Sequence, residues 1–320
     1  MTKRRLLVTA LIVLVALHAG LWFWATARLR DGYAEWADAR RAEGWTITNE
    51  PPRRAGWPLA AALIVPHPVI DGGEIAWRAG QMQLRLTPWH PRVLDIIPQG
   101  TEHVRLGALP VLAIAGPVVA HIRLDGSLPP EIDGTGIRLA ASGAMVTCTS
   151  LHATARGTSL HAEARGIVLS QDRSWPLGST IASFEMAATS TGPIAPASSA
   201  STARQQVARW RDAGGRVVIS AASLHWGPLA AHGTGSASLD AQLQPAADAT
   251  LQLDGWQKAL GVLEQGGTVS SGTALAVHAV LGLFARATPG GGVALPVSLA
   301  NGLVRAGGVP VARIRPIAWP

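Results

Sequence analysis

The sequence predicts a mainly β protein with a few α-helices, in which an N-terminal transmembrane helix precedes antiparallel sheet. Three observations lead to this fold class. An uncharged apolar run at residues 6–27 is long enough to cross a bilayer core. Beyond residue 45, apolar residues recur with a period of two in many short stretches. Only 15% of the residues are charged, whereas 35 are Gly and 22 are Pro, which favours strands and turns over long surface helices.

The apolar run has the layout of a membrane anchor. Residues 1–5 hold three basic side chains and are predicted to stay in the cytoplasm. A cleaved secretory signal is the alternative, because Ala25-Thr26-Ala27 fits a small-x-small cleavage pattern. The run exceeds the length of a signal h-region and favours a retained anchor. The residues that we expect to face lipid or its interface are Leu6, Leu11, Leu14, Leu21, Trp22 and Trp24.

Orientation follows from the size of the chain behind the anchor. Basic residues lie on both sides of the run, but long domains translocate largely regardless of charge. We therefore predict a single pass through the inner (cytoplasmic) membrane with the body in the periplasm. His18 is the one ionisable side chain inside the run. It could mark an intramembrane function, but a neutral imidazole near the end of a lone helix is the simpler interpretation.

The spacing of apolar residues and the composition divide the chain after the anchor into segments. Residues 28–44 repeat apolar side chains at helical spacing and predict an amphipathic stem that ends at Gly44. Residues 45–189 form the first predicted β-rich lobe, and residues 190–202 a Pro/Ser/Ala-rich loop or linker. The strands predicted in the first lobe are 75–79, 82–86, 102–106, 118–124, 137–140, 145–155 and 159–169, arranged as an antiparallel meander with turns at Asp125-Gly126 and Asp133-Gly134.

Residues 203–320 form the second predicted β-rich lobe, which also contains helices. Asn301-Gly302 favours a type I′ turn and predicts a closing hairpin of 293–299 with 303–311. The other predicted elements are helices 203–212, 256–265 and 273–286 and strands 216–226, 229–244 and 249–254. Aliphatic side chains alternate with polar ones in two of these strands, so we predict an apolar groove lined by Leu239, Leu243, Leu251 and Leu253.

Residue types that carry chemistry occur without the spacing that catalysis or metal binding needs. Gly134-Thr135-Gly136 and Gly233-Thr234-Gly235 lack a third glycine and a following helix, so strand bends are expected there. Two histidine pairs, His152 with His161 and His225 with His232, have no acidic or thiol cluster beside them. Ser220, Ser223, His225 and Asp240 contain the residue types of a triad, which only geometry can establish. We predict no catalytic residues, metal or cofactor.

Charge, cysteine content and tryptophan content limit the partners, cross-links and surfaces that the chain can have. The net charge of +7 is scattered along the chain, so we expect no nucleic-acid partner. A single cysteine, Cys148, excludes an internal disulfide. The 12 tryptophans are numerous beside one Tyr and three Phe. Trp45, Trp57, Trp77 and Trp89 fit core anchors, and they equally fit a groove or membrane-facing surface.

Several short motifs together resemble a known bacterial family. They are GWPL at 56–59, TP at 87–88, AGG at 213–215, HWGPL at 225–229, HGTGSASLDAQLQP at 232–245, LQLDGW at 251–256 and NGLVRAGGVPVARIRP at 301–316. In this order behind one anchor, they resemble the family called domain of unknown function 2125, whose carboxy-terminal part is similar to AsmA-like envelope proteins. The resemblance implies a periplasmic, inner-membrane-anchored sheet curled into an apolar groove and associated with lipid handling. This chain is shorter than the long AsmA-like members, so direct transfer between membranes is not expected.

These observations converge on one functional hypothesis and two alternatives. The hypothesis is a non-enzymatic, membrane-anchored envelope protein that binds lipid or another apolar ligand in a β-sheet groove. A structural or assembly scaffold with an envelope protein partner is the first alternative, because a partner could cover an apolar face equally well. An envelope hydrolase is the minor alternative.

Overall fold

The computed structural model describes residues 2–73, 75–107, 110–170, 175–192, 203–267, 269–285 and 292–317. Within these ranges the chain forms four helices and a 20-stranded sheet in which all pairings are antiparallel. The helices are α1 Thr2–Ala42, α2 Ala203–Asp212, α3 Trp256–Gln265 and α4 Ser271–Ala285. The predicted fold class, a long apolar N-terminal helix followed by a curved antiparallel sheet with few helices, is confirmed.

The strands come in two groups along the chain. The short strands of the first group are β1 Thr46–Thr48, β2 Arg53–Ala55, β3 Ala61–Pro66, β4 Val69–Asp71, β5 Ile75–Arg78, β6 Gln81–Thr87, β7 His90–Gln99, β8 Glu102–Leu106, β9 Leu112–Ala115 and β10 Val118–Arg123. Those of the second are β11 Glu131–Ala141, β12 Ala144–Arg156, β13 Ser159–Leu169, β14 Thr180–Ser190, β15 Val217–Trp226, β16 Leu229–Leu239, β17 Pro245–Asp254, β18 Val293–Ala300, β19 Leu303–Ala306 and β20 Val309–Arg313.

The sheet is a meander in chain order whose first part is creased. Each early crossing of the sheet is divided by a bend into two short strands, β1/β2, β3/β4, β5/β6, β7/β8 and β9/β10. On one side of the bends the pairing runs β2-β3-β6-β7-β10-β11, and on the other it runs β1-β4-β5-β8-β9-β11. From β11 onward each strand pairs with the next.

Glycine and proline mark the crease because the backbone must turn sharply there. Gly100 and Gly116 have positive φ values of 85° and 130°, which L side chains rarely adopt. A Cβ on Gly116 would also lie 2.9 Å from the carbonyl oxygen of Gly136 on β11. Folding along this line brings Trp77 of β5 against the buried side chains of β3 and β6. The crease therefore creates the first hydrophobic core.

Helix α1 closes this core with its C-terminal half. Trp22, Thr26, Leu29, Tyr33 and Ala37 recur every three or four residues and are buried or half-buried. Leu29 packs with a cluster formed by Ala61, Leu63, Val65, Met82 and Leu84. The helix continues without interruption through the predicted stem to Ala42, and Gly44 follows with a φ of 88°.

Helices α3 and α4 cover the other end of the sheet. Trp256 of α3 forms a second core cluster with Val293 and Leu295 of β18. Leu260 and Leu281 pack against this cluster from the two helices. Both helices lie close to the predicted positions, and α2 and α3 have the predicted bounds.

Three local predictions are wrong for identifiable physical reasons. Asp133-Gly134 lies inside β11 and makes no turn, because both residues pair with β12. The strand predicted over 229–244 ends at Leu239, since the Asp240 carboxylate accepts hydrogen bonds from the backbone N–H groups of Gln242 and Gln244 and holds a turn. The strand predicted over 303–311 is broken into β19 and β20 by a turn at Gly307-Gly308, both of which have positive φ.

The predicted division into lobes 45–189 and 203–320 stays a prediction. In the sheet, β14 and β15 flank the predicted linker and are hydrogen-bonded neighbours over most of their length. Residues 193–202 of that linker lie outside the described residues. The sheet hydrogen bonding is therefore continuous across the boundary that composition suggested.

Candidate functional site

Strand register aligns one apolar residue from each of the hydrogen-bonded strands β3, β6, β7 and β10 to β18 into a line across the sheet. We call this line the apolar row. Residues directly opposite each other on neighbouring strands project from the same face. The row consists of Leu63, Leu84, Ile96, Ala120, Ile132, Ala153, Ala162, Met186, Ala222, Gly233, Leu251 and Leu295. It connects the core cluster under α1 with the cluster under α3.

The ends of the apolar row are covered by helices and its middle is open. In the described part of the chain, α1 contacts β1 and β3, α3 contacts β16 and α4 contacts β18, whereas β12 and β13 make extensive contacts only with adjacent strands. Ile132 is 41% exposed, and Ala153, Ala162 and Met186 are half-buried. The middle is rich in Ala and Gly, whose short side chains leave the sheet surface low between the bulkier ends.

The opposite face carries a line of polar residues, which we call the polar row. It consists of Arg85, Asp95, His121, Asp133, His152, Glu163, Glu185, Ser223, His232 and Gln252. Strands β14 to β17 expose this side, as at Glu185 and His232, and half-bury the apolar row, as at Met186 and Leu251. Over these strands the sheet therefore has a more exposed polar face and a less exposed apolar one.

Charged side chains pair with one another in the first half of the polar row. The Arg85 guanidinium lies 2.9 Å from Asp95, whose side chain is 13% exposed. His121 Nδ1 donates to Asp95 at 2.8 Å, and its Nε2 lies 3.7 Å from Asp133. His152 Nδ1 donates to Asp133 at 2.8 Å. These contacts bind five strands to one another, since each partner comes from a different strand.

The second half of the polar row is less densely paired. Glu163 and Glu185 lie opposite each other on β13 and β14, and Glu163 also contacts Arg165. His225 is hydrogen-bonded to Ser183 at 3.0 Å, and its ring lies 5.6 Å from that of His232. Among the described residues, no group of three or more His, Cys, Asp or Glu side chains is arranged to hold a metal ion.

The residues weighed as a triad have separate roles in the fold. The Ser220 hydroxyl donates to the carbonyl of Ala187. Asp240 belongs to the turn after β16, where it caps two backbone N–H groups. Ser223 and His225 share the exposed face of β15, where His225 bonds Ser183 of the neighbouring strand. The contacts of these residues are accounted for by strand pairing and turn formation.

The four leucines predicted to line a groove lie in three settings. Leu251 belongs to the apolar row, and Leu253 follows on the same face of β17 and packs on the α3 cluster. Leu239 ends β16. Leu243 lies in the turn with a φ of 61° and is 4% exposed. Sequence reasoning missed the row members on β12 to β15, although alternation of Ala with His or Glu at 152–153 and 162–163 was a signal for them.

The predicted anchor residues are exposed except at the junction with the body. Among the described residues, α1 is the one helix long and apolar enough to span a membrane. Leu6, Leu11, Leu14, Leu21 and Trp24 project from it into the surroundings with at least 60% of their surface exposed. Trp22 instead packs on the body, and its Nε1 donates to the Ala60 carbonyl at 2.9 Å.

The tryptophans divide between core and surface. Trp77 packs on the first core cluster and donates to Glu102, while Trp256 is buried under α4. Trp57 and Trp89 are 47% and 63% exposed. The core-anchor interpretation therefore holds for Trp77 and Trp256, and a groove or membrane-facing role for the exposed tryptophans stays a prediction.

Comparison with known proteins identifies the family. No curated protein and no solved structure matches the chain. A family model described as "Uncharacterized protein conserved in bacteria (DUF2125)" matches residues 22–315. The match begins at Trp22, where α1 first joins the core, and it takes in nearly all of the body. The chain belongs to the DUF2125 family.

Proposed function

We propose that this protein is a non-enzymatic envelope protein, anchored in the inner membrane by α1 with its body in the periplasm, which holds a lipid acyl chain against the apolar row. The observation that carries the proposal is the open middle of that row, which runs from the core under the membrane helix. The sequence resemblance to AsmA-like envelope proteins supports the same class of ligand.

Exposure of the first part of α1 supports the membrane location. The leucines and valines between residues 6 and 17 keep at least 49% of their surface exposed, so the described body does not bury them. Burying one Leu side chain in an apolar environment is worth about 1.5–3 kcal/mol. A row of such side chains therefore favours a bilayer over water by a wide margin.

The dimensions of the open middle suit an acyl chain. Neighbouring strands are about 4.8 Å apart, so the six intervals from β10 to β16 span roughly 29 Å. The acyl chains of one leaflet extend through about half of a 30 Å hydrocarbon core, so the open middle is long enough to hold one chain. Burying ten methylenes there would contribute on the order of 8 kcal/mol before association costs. Retention of one chain is therefore energetically reasonable.

Photolabelling tests this proposal directly. The full chain in detergent micelles is incubated with a diazirine-bearing palmitic acid, irradiated, and mapped by peptide mass spectrometry. We expect labelled peptides from β12 to β15. Ala162→Asp should abolish this labelling because it places a charge in the apolar row. His161→Asp is the matched control, because it introduces the same charge one residue away on the opposite face.

The outcomes separate the proposal from its alternatives. Ala162→Trp fills the same space without a charge and should also reduce labelling, while circular dichroism monitors the fold of each variant. Labelling confined to α1, or equal in Ala162→Asp and His161→Asp, would reject a ligand on the apolar row. The scaffold hypothesis, in which a partner protein covers this face, would then be the better account.

A further inference from the structure

We propose that Trp57, Pro58 and Leu59, which we call the WPL loop, are embedded in the outer leaflet of the membrane beside α1. The inference rests on the proposed membrane anchoring. It assigns a second membrane contact to the body, so that the body is held against the bilayer by a loop as well as by the helix.

The length of the free helix requires this arrangement. The uncharged run begins at Leu6, and the first contact between α1 and the loop is made by His18. Residues 6–17 extend for about 18 Å at 1.5 Å per residue. A hydrocarbon core of about 30 Å needs roughly 20 residues, so the helix stays within it to about residue 25. Residues 18–25 must therefore lie in the outer leaflet together with whatever is bonded to them.

The WPL loop is bonded to this stretch of helix. His18 Nε2 donates to the Pro58 carbonyl at 2.7 Å, and Trp22 Nε1 donates to the adjoining Ala60 carbonyl at 2.9 Å. The Trp57 ring lies 5.0 Å from the His18 ring and 5.7 Å from the Trp22 ring. These bonds give partners to the side-chain N–H groups of His18 and Trp22 and to two backbone carbonyl oxygens, which the bilayer interior favours. They also explain why the apolar run contains one ionisable residue, because the His18 ring has a hydrogen-bond partner in the loop.

The exposed surface of the loop suits lipid. Trp57 and Leu59 are 47% and 68% exposed, and Phe23 and Trp24, one and two residues beyond Trp22 on α1, are 53% and 62% exposed. Indole rings favour the membrane interface, and a leucine this exposed gains by leaving water. Together these four side chains form an apolar collar around the junction of helix and body.

Positive charge follows the collar at the expected depth. The Arg54 guanidinium lies 5.5 Å from the centre of the Phe23 ring, and Arg53 next to it is also exposed. Phe23 is five residues beyond His18, which places Arg54 about 7.5 Å closer to the surface. Arginine at that level can reach lipid phosphate groups while its stem remains against apolar surface.

Depth-dependent quenching tests the position of the loop. The full chain, with its single cysteine removed as Cys148→Ala, carries one new cysteine at a time and is labelled with an environment-sensitive fluorophore. The variants are Leu59→Cys in the loop, Leu17→Cys in the free helix and Leu106→Cys at the end of β8, on the side of the crease away from the loop, all exposed positions. Each is reconstituted into phosphatidylcholine and phosphatidylglycerol vesicles with nitroxide groups on the acyl chains.

The three positions distinguish failure of this inference from failure of the anchoring itself. We expect acyl-chain nitroxides to quench the labels at positions 17 and 59 several-fold more than the label at 106. Quenching at position 17, with quenching at position 59 no stronger than at position 106, would overturn the loop assignment and leave the anchor intact. Quenching at neither position would overturn the anchor, and the loop assignment with it.

Discussion

Leu63→Ala tests whether α1 and the creased sheet form one cooperative unit. Leu63 is 0% exposed and lies in the cluster that joins β3 and β6 to Leu29 of α1. Truncation removes buried methyl groups and leaves a cavity that the sheet on one side and the helix on the other can fill only in part. Because the site has no route to solvent, we expect a cost near the upper half of the range for buried leucine.

The magnitude follows from comparable core truncations. Leu→Ala at fully buried sites costs about 2.7–5.0 kcal/mol, including about 24 cal/mol per Å³ of residual cavity. Taking about 4 kcal/mol, and about 2–4 °C per kcal/mol for a domain of this size, the midpoint of thermal unfolding should fall by roughly 8–16 °C. Leu124→Ala is the matched control, since the same change at a 58% exposed position should alter stability by about 0.5 kcal/mol or less.

Urea titration of the full chain in detergent micelles, followed by near-UV circular dichroism, measures both variants. A double-mutant cycle with Leu29→Ala then reports whether helix and sheet share the cluster. We expect a coupling of about 0.5–3 kcal/mol, since the second truncation enlarges an existing cavity. Strict additivity of the two costs, or a cost at Leu63 equal to that at Leu124, would refute the idea that the stem folds with the sheet.

Two further predictions concern the carboxyl group of Glu102 and the turn at Gly302. Burial raises the pKa of Glu102 above 4.5, although the hydrogen bond from Trp77 opposes the shift. The folded state therefore holds this proton more tightly than the unfolded state, so the carboxyl group's contribution to stability is lost as pH rises through the raised pKa. Stability of Glu102→Gln relative to wild type should thus increase between about pH 4 and 7 in paired urea titrations, and a difference that does not change with pH would contradict it. Gly302→Ala should cost at least about 1 kcal/mol in thermal unfolding, because φ is 71° and the new Cβ would lie 2.9 Å from the Ile314 carbonyl oxygen. Gly143→Ala, at a φ of 81° with open space around it, isolates the backbone strain, and equal costs at the two sites would exclude the steric contribution.

Elements governed by local chemistry could be predicted from the sequence. Strand β13 and helices α2 and α3 have the predicted bounds, because periodicity changes and glycines mark their ends. Asn301-Gly302 forms the predicted turn, with φ values of 52° and 71°. The failure at 240–244 also has a local origin, since Asp240 captures two backbone N–H groups that a continuing strand would have used. Alternation of Leu with polar residues outweighed that side-chain effect in the sequence-based prediction.

The two rows could not be predicted because they depend on register. The neighbours of Ala162 in the apolar row are Ala153 and Met186, which come from different strands. Alternation indicates which residues share a face within one strand, but the partner across the gap is fixed by the length of each turn. His121 meets Asp95 for the same reason, through pairing of β10 with β7. A one-residue error in any turn would have assigned each of these side chains to the wrong face.

The crease explains why the open part of the apolar row lies where it does. While each crossing is bent, as at Gly100 and Gly116, the two halves of the sheet face each other and bury Leu63 and Trp77 between them. Strands β11 and β12 pair along nearly their whole length, and irregularities near Gly136 and Gly166 replace the full breaks seen earlier. No second half then folds over the apolar face, among the described residues, until α3 and α4 reach β16 and β18. The open surface therefore lies between the part of the sheet that is covered by the crease and the part that is covered by α3 and α4.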